Sequence, residues 1–308
     1  MTTHESSRAN EVPDSEIPAI EIDGLNYAYR KAEAVRGLSL KVKRGQCYGL
    51  FGRNGAGKTT TMKCLLNLLR PQQGEVRVFG IDPRRNEVEA KRRLAYVPDQ
   101  VAFYPWMSVR ETLDYLASFR ERWNRDTESN LLERFRLDPA KRTDSLSKGQ
   151  RTQVALIAAV CPETELLVLD EPTSGLDPII RREFIETIIG AYQEGDPGNR
   201  TIFVSTHLIS EFEGLIDEFS IMDGGRIAVT MGADEARDKY KRFRASFAEG
   251  APEMEFPGAL RKRREGRELE IVANGSAAAL EARLREMAPL ELQVDSLTLE
   301  EIFVAELK

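Results

Sequence analysis

The spacing of hydrophobic positions changes several times along the chain, and each change marks an element. From Ala19 to about Val42 apolar residues alternate with polar ones, in Ile20/Ile22 and then in Leu38/Leu40/Val42. A period of two predicts half-buried strands of an antiparallel pair. The run Cys47-Tyr48-Gly49-Leu50-Phe51 ends in a glycine-rich turn, after which Met62, Leu65, Leu66 and Leu69 recur at helical spacing; strand, loop and helix follow one another there. Leu166-Leu167-Val168-Leu169 and Thr201-Ile202-Phe203-Val204 are short unbroken apolar runs, the pattern of parallel strands covered on both faces. Helical stretches at about 147–160 and 179–193 precede them. This alternation predicts an α/β layered domain with a parallel sheet at its centre. Asp223-Gly224-Gly225 reads as a hairpin turn between two further strands.

The pattern weakens near 230–240, where a domain boundary is expected between residues 18–232 and a small α+β accessory domain at 233–308. That domain should hold strands near 243–248, at 268–272 and at 291–294, a helix at 276–287 and a closing helix from Leu297. Arg261-Lys262-Arg263-Arg264 and Arg267, beside Glu265, Glu268 and Glu270, read as a solvated turn. Residues 1–17 mix both charge signs and lack the apolar core of a secretion signal. They read as a disordered lead-in, and the protein as cytoplasmic.

Composition narrows the class. With 41% hydrophobic and 31% charged residues, the chain is neither disordered nor fibrous. Its longest stretch without a charge runs only from Thr152 to Pro162, whereas a membrane-spanning helix needs about 20 mostly apolar residues. Lys and Arg number 44 against 50 Asp and Glu, for a net charge of −6. Such a chain has no excess positive charge to draw it onto a polyphosphate backbone, so no nucleic-acid partner is expected. Cys47, Cys64 and Cys161 are too scattered for a zinc site or a disulfide framework.

The candidate chemistry begins at Gly52-Arg53-Asn54-Gly55-Ala56-Gly57-Lys58-Thr59, which fits G-x-x-x-x-G-K-[ST]. Its glycines let backbone N–H groups turn inward around phosphates, Lys58 reaches the β and γ oxygens, and the Thr59 hydroxyl ligates Mg²⁺. The helix N-terminus behind it, with Thr60, adds positive potential. The strand Leu166–Leu169 delivers Asp170 at its carboxyl end beside Mg²⁺ and Glu171 next to the terminal phosphate, as candidate general base. His207 follows the run 201–204 and so also stands at a strand end, within reach of the γ-phosphate and the attacking water.

Between these lie Leu146-Ser147-Lys148-Gly149-Gln150 and, later, Ser174-Gly175-Leu176-Asp177. With the phosphate loop, the hydrophobic run ending in Asp-Glu and the histidine, they make five motifs in order, and residues 19–230 resemble an ATP-binding-cassette (ABC) ATPase. The resemblance implies a P-loop NTPase cassette: a parallel-sheet core, an antiparallel β subdomain, and a helical subdomain at about 100–160. It implies ATP and Mg²⁺ as cofactors, and a dimer in which Ser147, Lys148, Gly149 and Gln150 of one cassette close over the γ-phosphate held by the other. Asp177 joins that nucleotide-binding set, and Tyr29 is expected to stack on adenine. Two departures stand out. Where family members carry a glutamine after the strand Leu94-Ala-Tyr-Val-Pro98, this chain has Asp99 followed by Gln100, and either can fill that role. The third residue of the signature is Lys148 rather than glycine, its side chain free to point to solvent or to phosphate.

A cassette without membrane helices resembles the detached ATPase subunit of a bacterial transporter, peripheral on the cytoplasmic face of the inner membrane. A second ATPase subunit and a separate integral membrane permease are then implied; the dimer can be homotypic or heterotypic, and the complete motifs would give a homodimer two competent sites. Val101-Ala-Phe-Tyr-Pro-Trp106-Met107 falls where the family accepts a cytoplasmic helix of the permease, and Phe103, Tyr104 and Trp106 suit either that socket or the core of the helical subdomain. The YVPDQ loop and the C-terminal SLTLEEIF resemble the exporter branch that handles drugs, lipids, peptides or metal ions. The alternative is a soluble ABC ATPase with a mechanical or regulatory role. Translation factors of that kind carry two cassettes and repair proteins a long coiled coil, whereas the interval from Lys58 to Ser147 has room only for a compact helical insert. Lys58, Asp170, Glu171 and His207 together argue against a module that only senses ATP.

Overall fold

The alternation at the start of the chain folds as β1 (Ile20–Tyr29) and β2 (Ala32–Val42), antiparallel, with Ile20 opposite Val42 and Ile22 opposite Leu40. The computed structural model describes residues 16–193, 200–250, 255–256, 258–275 and 277–307; residues 1–15 of the expected lead-in lie outside the described residues. Next come β3 (Cys47–Gly52), α1 (Lys58–Leu65) and β4 (Gln73–Val78), the last pairing with the free edge of β1 to give a three-stranded sheet ordered β2-β1-β4. A helical segment follows with α2 (Glu87–Arg92), β5 (Leu94–Val97), α3 (Val109–Ala117), α4 (Arg125–Arg134) and α5 (Lys148–Val160). The chain then alternates through β6 (Leu166–Asp170), α6 (Pro178–Gln193), β7 (Thr201–Thr206), α7 (Ile209–Phe212), β8 (Glu218–Asp223) and β9 (Arg226–Gly232).

The central sheet runs β5-β6-β7-β3-β8-β9, parallel except for the β8–β9 hairpin. Its unbroken apolar runs are explained by burial on two sides. Tyr48, Leu50, Leu166, Val168 and Phe203 pack toward the three-stranded sheet, while Phe51, Leu169, Ile202 and Val204 pack into the core shared with the helices. Each such side chain contributes about 1.5–3 kcal/mol relative to exposure, so the strand order is fixed on both faces. The carboxyl ends of β3, β6 and β7 converge on one edge, the place where open α/β sheets bind ligands.

The remaining elements are α8 (Ala233–Lys239), β10 (Tyr240–Ser246), β11 (Ala259–Glu265), β12 (Glu268–Asn274), α9 (Ala277–Glu286), β13 (Glu291–Ser296) and α10 (Leu299–Glu306). Four of them form an antiparallel sheet ordered β11-β12-β10-β13. Leu280 and Leu284 of α9 cover Phe243 and Ile271 on one face. On the other, Tyr240 and Val272 join Leu299 and Ile302 of α10 in the same core that holds Phe212 and Ile216 beside α7. The basic run Arg261–Arg264 corrects the sequence reading: it is not a turn but edge strand β11, with Arg261 opposite Val272 and Arg263 opposite Glu270. The turn is Gly266-Arg267. Charged side chains on an exposed edge keep it from pairing with foreign strands, and they also erase the alternation by which a strand is recognised.

Candidate functional site

The loop from Gly52 to Thr59 joins β3 to α1, and two of its glycines adopt backbone angles closed to other residues. Gly57 has φ +111°, and a Cβ there would lie 2.3 Å from the Ala34 carbonyl oxygen; Gly55 has φ +84°. The loop is therefore shaped by glycine where backbone must turn tightly and approach β2 closely. Ala56 is buried, Arg53 and Asn54 are exposed, and Thr60 is buried in the first turn of α1.

Lys58 folds back under the loop. Its Nζ donates to the Gly52 carbonyl at 2.7 Å and pairs with Glu171 Oε1 at 2.8 Å. Asp170, at the end of β6, is almost wholly buried and accepts from Thr59 Oγ1 at 3.0 Å and from Ser205 Oγ at 2.6 Å. Burial pushes its carboxyl above the usual range, against the lowering effect of those two hydroxyls, and the nearby charges of Glu171 and Asp99 raise it further. Glu171 stands at φ +46°, its N–H donating to the Ser205 carbonyl at 2.9 Å. Its Oε2 lies 2.6 Å from His207 Nδ1 and accepts the His207 backbone N–H at 3.2 Å. Ammonium, hydroxyl, two carboxylates and imidazole thus meet at the ends of three strands, an arrangement that can neutralise a polyphosphate and polarise a water beside it.

Two residues of this cluster escaped the sequence reading. Ser205 faces Asp170 directly in the β6–β7 register, a signal legible once the two runs are aligned as neighbours. Tyr96, on β5, donates its hydroxyl to Asp170, and burial raises its phenol well above the ordinary value. Of the competing pair after β5, Asp99 is half-buried and its charge bears on both Asp170 and Tyr96; Gln100 is exposed.

The other expected residues stand apart from this cluster. Ser147 is the N-cap of α5, in a capping box with Gln150, whose side chain also accepts from Lys141 Nζ at 3.1 Å. Gly149 packs against Ile180, where a Cβ would meet Ile180 Cδ1 at 2.6 Å. Lys148 points neither to solvent alone nor to the phosphate loop: its Nζ donates to the Ser174 carbonyl at 2.5 Å. Asp177 caps α6 through the N–H groups of Ile179 and Ile180, each at 3.1 Å. Tyr29, at the end of β1, is 45% exposed and meets Tyr27 edge to face at 4.9 Å between ring centres.

Beside α3 a groove of about 1110 Å³ is lined by Leu68, Val88, Arg92, Phe103 and Phe119 among others. A ladder of rings leads from it: Phe119 against Tyr115 at 5.1 Å, Tyr115 against Tyr104 at 5.7 Å, and Tyr104 against Trp106 at 4.9 Å. Phe103 packs against the core, but Trp106 is 63% and Phe119 68% exposed. No helix of the described residues is long and apolar enough to cross a membrane, and no group of three or more His, Cys, Asp or Glu side chains among them could by itself hold a metal ion.

Fold and cluster together define a nucleoside-triphosphate-hydrolysing cassette. The ABC transporter family model matches residues 35–174. The bacitracin transport ATP-binding protein BcrA of Bacillus licheniformis is 33% identical over 226 residues, 73% of each chain. The daunorubicin resistance ATP-binding protein DrrA3 of Streptomyces coeruleorubidus is 35% identical over 230 residues, 71% of this chain and 70% of that one. A solved structure of the ATP-binding subunit of an ABC transporter shares the fold with a TM-score of 0.65 at 28% identity, over 71% of this chain and 92% of the other. The chain belongs to the ABC transporter family of ATP-binding subunits, and as such it binds and hydrolyses ATP.

Proposed function

We propose that this chain is the motor subunit of a bacterial exporter, which dimerises around ATP and drives a separate integral membrane permease from the cytoplasmic face of the inner membrane. The observation that carries the reading is the convergence of Lys58, Thr59, Asp170, Glu171 and His207 at the carboxyl ends of β3, β6 and β7. Lys58 exchanges the Gly52 carbonyl and Glu171 for β and γ oxygens of ATP, and the backbone N–H groups of residues 53–60 cradle the phosphates. Glu171, released, accepts a proton from the water that attacks the γ-phosphorus, leaving ADP and phosphate; His207 holds Glu171 and the water in line. Thr59 and Asp170 fit Mg²⁺: a hydroxyl and a carboxylate 3.0 Å apart suit an ion that takes one or two protein oxygens and fills its shell from phosphate and water. Bound there, it would neutralise charge on the phosphate oxygens. Asp99 takes the glutamine's place at the edge of this cluster, and Tyr29 offers its exposed ring to adenine.

Ser147, Gly149 and the N-terminus of α5 form a second anion site, aimed at the nucleotide of the partner subunit. In this reading residues 18–232 are the ATPase domain, with its helical subdomain at about 100–160, and 233–308 an accessory α+β domain. The groove beside α3 and its aromatic ladder form the socket for the permease, and the export reading follows the relatives named for bacitracin transport and daunorubicin resistance. The test is a pull-down of tagged Glu171→Gln protein from gently solubilised membranes with Mg-ATP. Recovery of a multi-helix membrane protein is expected; recovery of ribosomes or repair factors in its place would overturn the transporter reading.

A further inference from the structure

The first turn of α5, which the dimer reading sends across to the partner's nucleotide, and the loop Ser174–Asp177, whose Asp177 belongs to the same nucleotide-binding set, are joined within one subunit by a single long side chain. Gly149 lets α5 close on α6, since a Cβ would stand 2.6 Å from Ile180 Cδ1. From the neighbouring position Lys148 reaches the Ser174 carbonyl at 2.5 Å. Gly175, at φ +69°, leaves room for the ammonium: a Cβ there would lie 3.0 Å from Lys148 Nζ. The far end of the loop is pinned separately. Asp177 caps α6, and Arg181 donates to the Leu176 carbonyl at 3.1 Å while pairing with Glu211 of α7 at 2.6 Å.

We propose that Lys148 is a positioning residue for ATP hydrolysis: its bond to the Ser174 carbonyl locks the loop Ser174–Asp177 to the signature turn, so that both reach the partner's nucleotide as one rigid unit. The proposal rests on the ATP-dimer reading above. A glycine at this position offers no such tie; the loop would keep its own turn bonds, from the Ser174 N–H to the Glu171 carbonyl and from the Leu176 N–H to the Thr173 carbonyl, and its hold on α6, but nothing that joins it to the signature turn. One of the ammonium's three donors is thereby committed to the loop. Lys148 therefore acts on the geometry of the closed state, which governs turnover, and not on ATP capture, which governs the concentration dependence.

The test is steady-state ATPase kinetics of the full chain bearing Lys148→Met, which keeps the stem and the helix propensity and removes the donor. The expected result is a fall in kcat of about 5- to 20-fold, the loss of one charge-assisted hydrogen bond, with KM for ATP within about twofold of the parent. Lys148→Arg, which keeps a charged donor, recovers most of the loss. A rise in KM with kcat retained would place Lys148 on the partner's phosphate and overturn the proposal, as would an unchanged kcat. Lys58→Ala in the same assay keeps the two readings apart: turnover surviving there would refute the ATP site itself, whatever Lys148 does.

Discussion

Glu171 is gripped at three points by two neighbours: the Lys58 ammonium, the His207 ring and the His207 backbone. A left-handed backbone at a non-glycine residue costs of order 1 kcal/mol, and here the strand end and these contacts hold it. Glu171→Gln keeps the shape and removes the base. Turnover should fall by about 10²- to 10⁴-fold, while sedimentation with excess Mg-ATP should show a persistent dimer; a monomer under those conditions would count against the dimer mechanism. A second residue-scale prediction concerns Tyr48, whose hydroxyl lies 2.5 Å from Ser220 Oγ in the core and whose phenol burial pushes up to about 12. The unfolded chain releases that proton near pH 10. The folded state thus holds it more tightly, so this contribution to stability is complete below about pH 10 and is lost as pH rises toward 12. Denaturant midpoints measured from pH 8 to 11 should decline at the alkaline end, less steeply in Tyr48→Phe. At this scale the sequence made Lys58, Asp170 and His207 visible because each sits at a motif or strand end, whereas Ser205 and Tyr96 needed the order of strands before they could be placed beside Asp170.

Among elements, those buried on two sides were the easiest to read. β3, β6 and β7 announce themselves as unbroken apolar runs because both faces are covered, and α5 and α6 because each carries a continuous apolar side. Where a buried position is polar the pattern fails. Helix α4 shows the reason: besides Leu131 and Leu132, its buried face carries Glu128, fully enclosed. That carboxylate accepts from Arg110, from Trp123 Nε1 at 2.5 Å and from Arg125 at 2.8 Å, tying α3 to α4. Strand β11 fails for the opposite reason, since neither face is apolar. Removing Glu128 leaves two half-exposed guanidiniums free to hydrate but orphans the Trp123 N–H. Glu128→Ala is therefore expected to cost about 2 kcal/mol, read as a lower urea midpoint with an unchanged slope; an unchanged midpoint would show that the network contributes nothing.

On the scale of the whole molecule, the C-terminal elements rest on the segment that follows His207. The Leu299 N–H at the start of α10 donates to Glu213 Oε1 at 3.0 Å, and Arg237 reaches the Glu213 carbonyl at 3.3 Å, with Leu299 and Ile302 in the same core as Ile209 and Phe212. Sequence alone drew a boundary near 230–240 because hydrophobicity drops there; it could not show that apolar contacts continue across it. The ring ladder beside α3 tests the permease socket. Trp106→Ala should leave KM for ATP unchanged and lower transport in reconstituted vesicles by about tenfold, in the range of a lost aromatic anchor; full transport would reject this docking face.

That ladder has a cost when the partner is missing. Four aromatic side chains in mutual contact and open to water form an adhesive strip, and apolar patches of this kind draw unrelated surfaces together. In the socket reading, a copy made in excess of its membrane partner carries the strip uncovered, prone to clump with other orphans or to be captured by quality control. On that reading the ratio in which the two polypeptides are synthesised becomes a physical requirement set by Tyr104, Trp106, Tyr115 and Phe119.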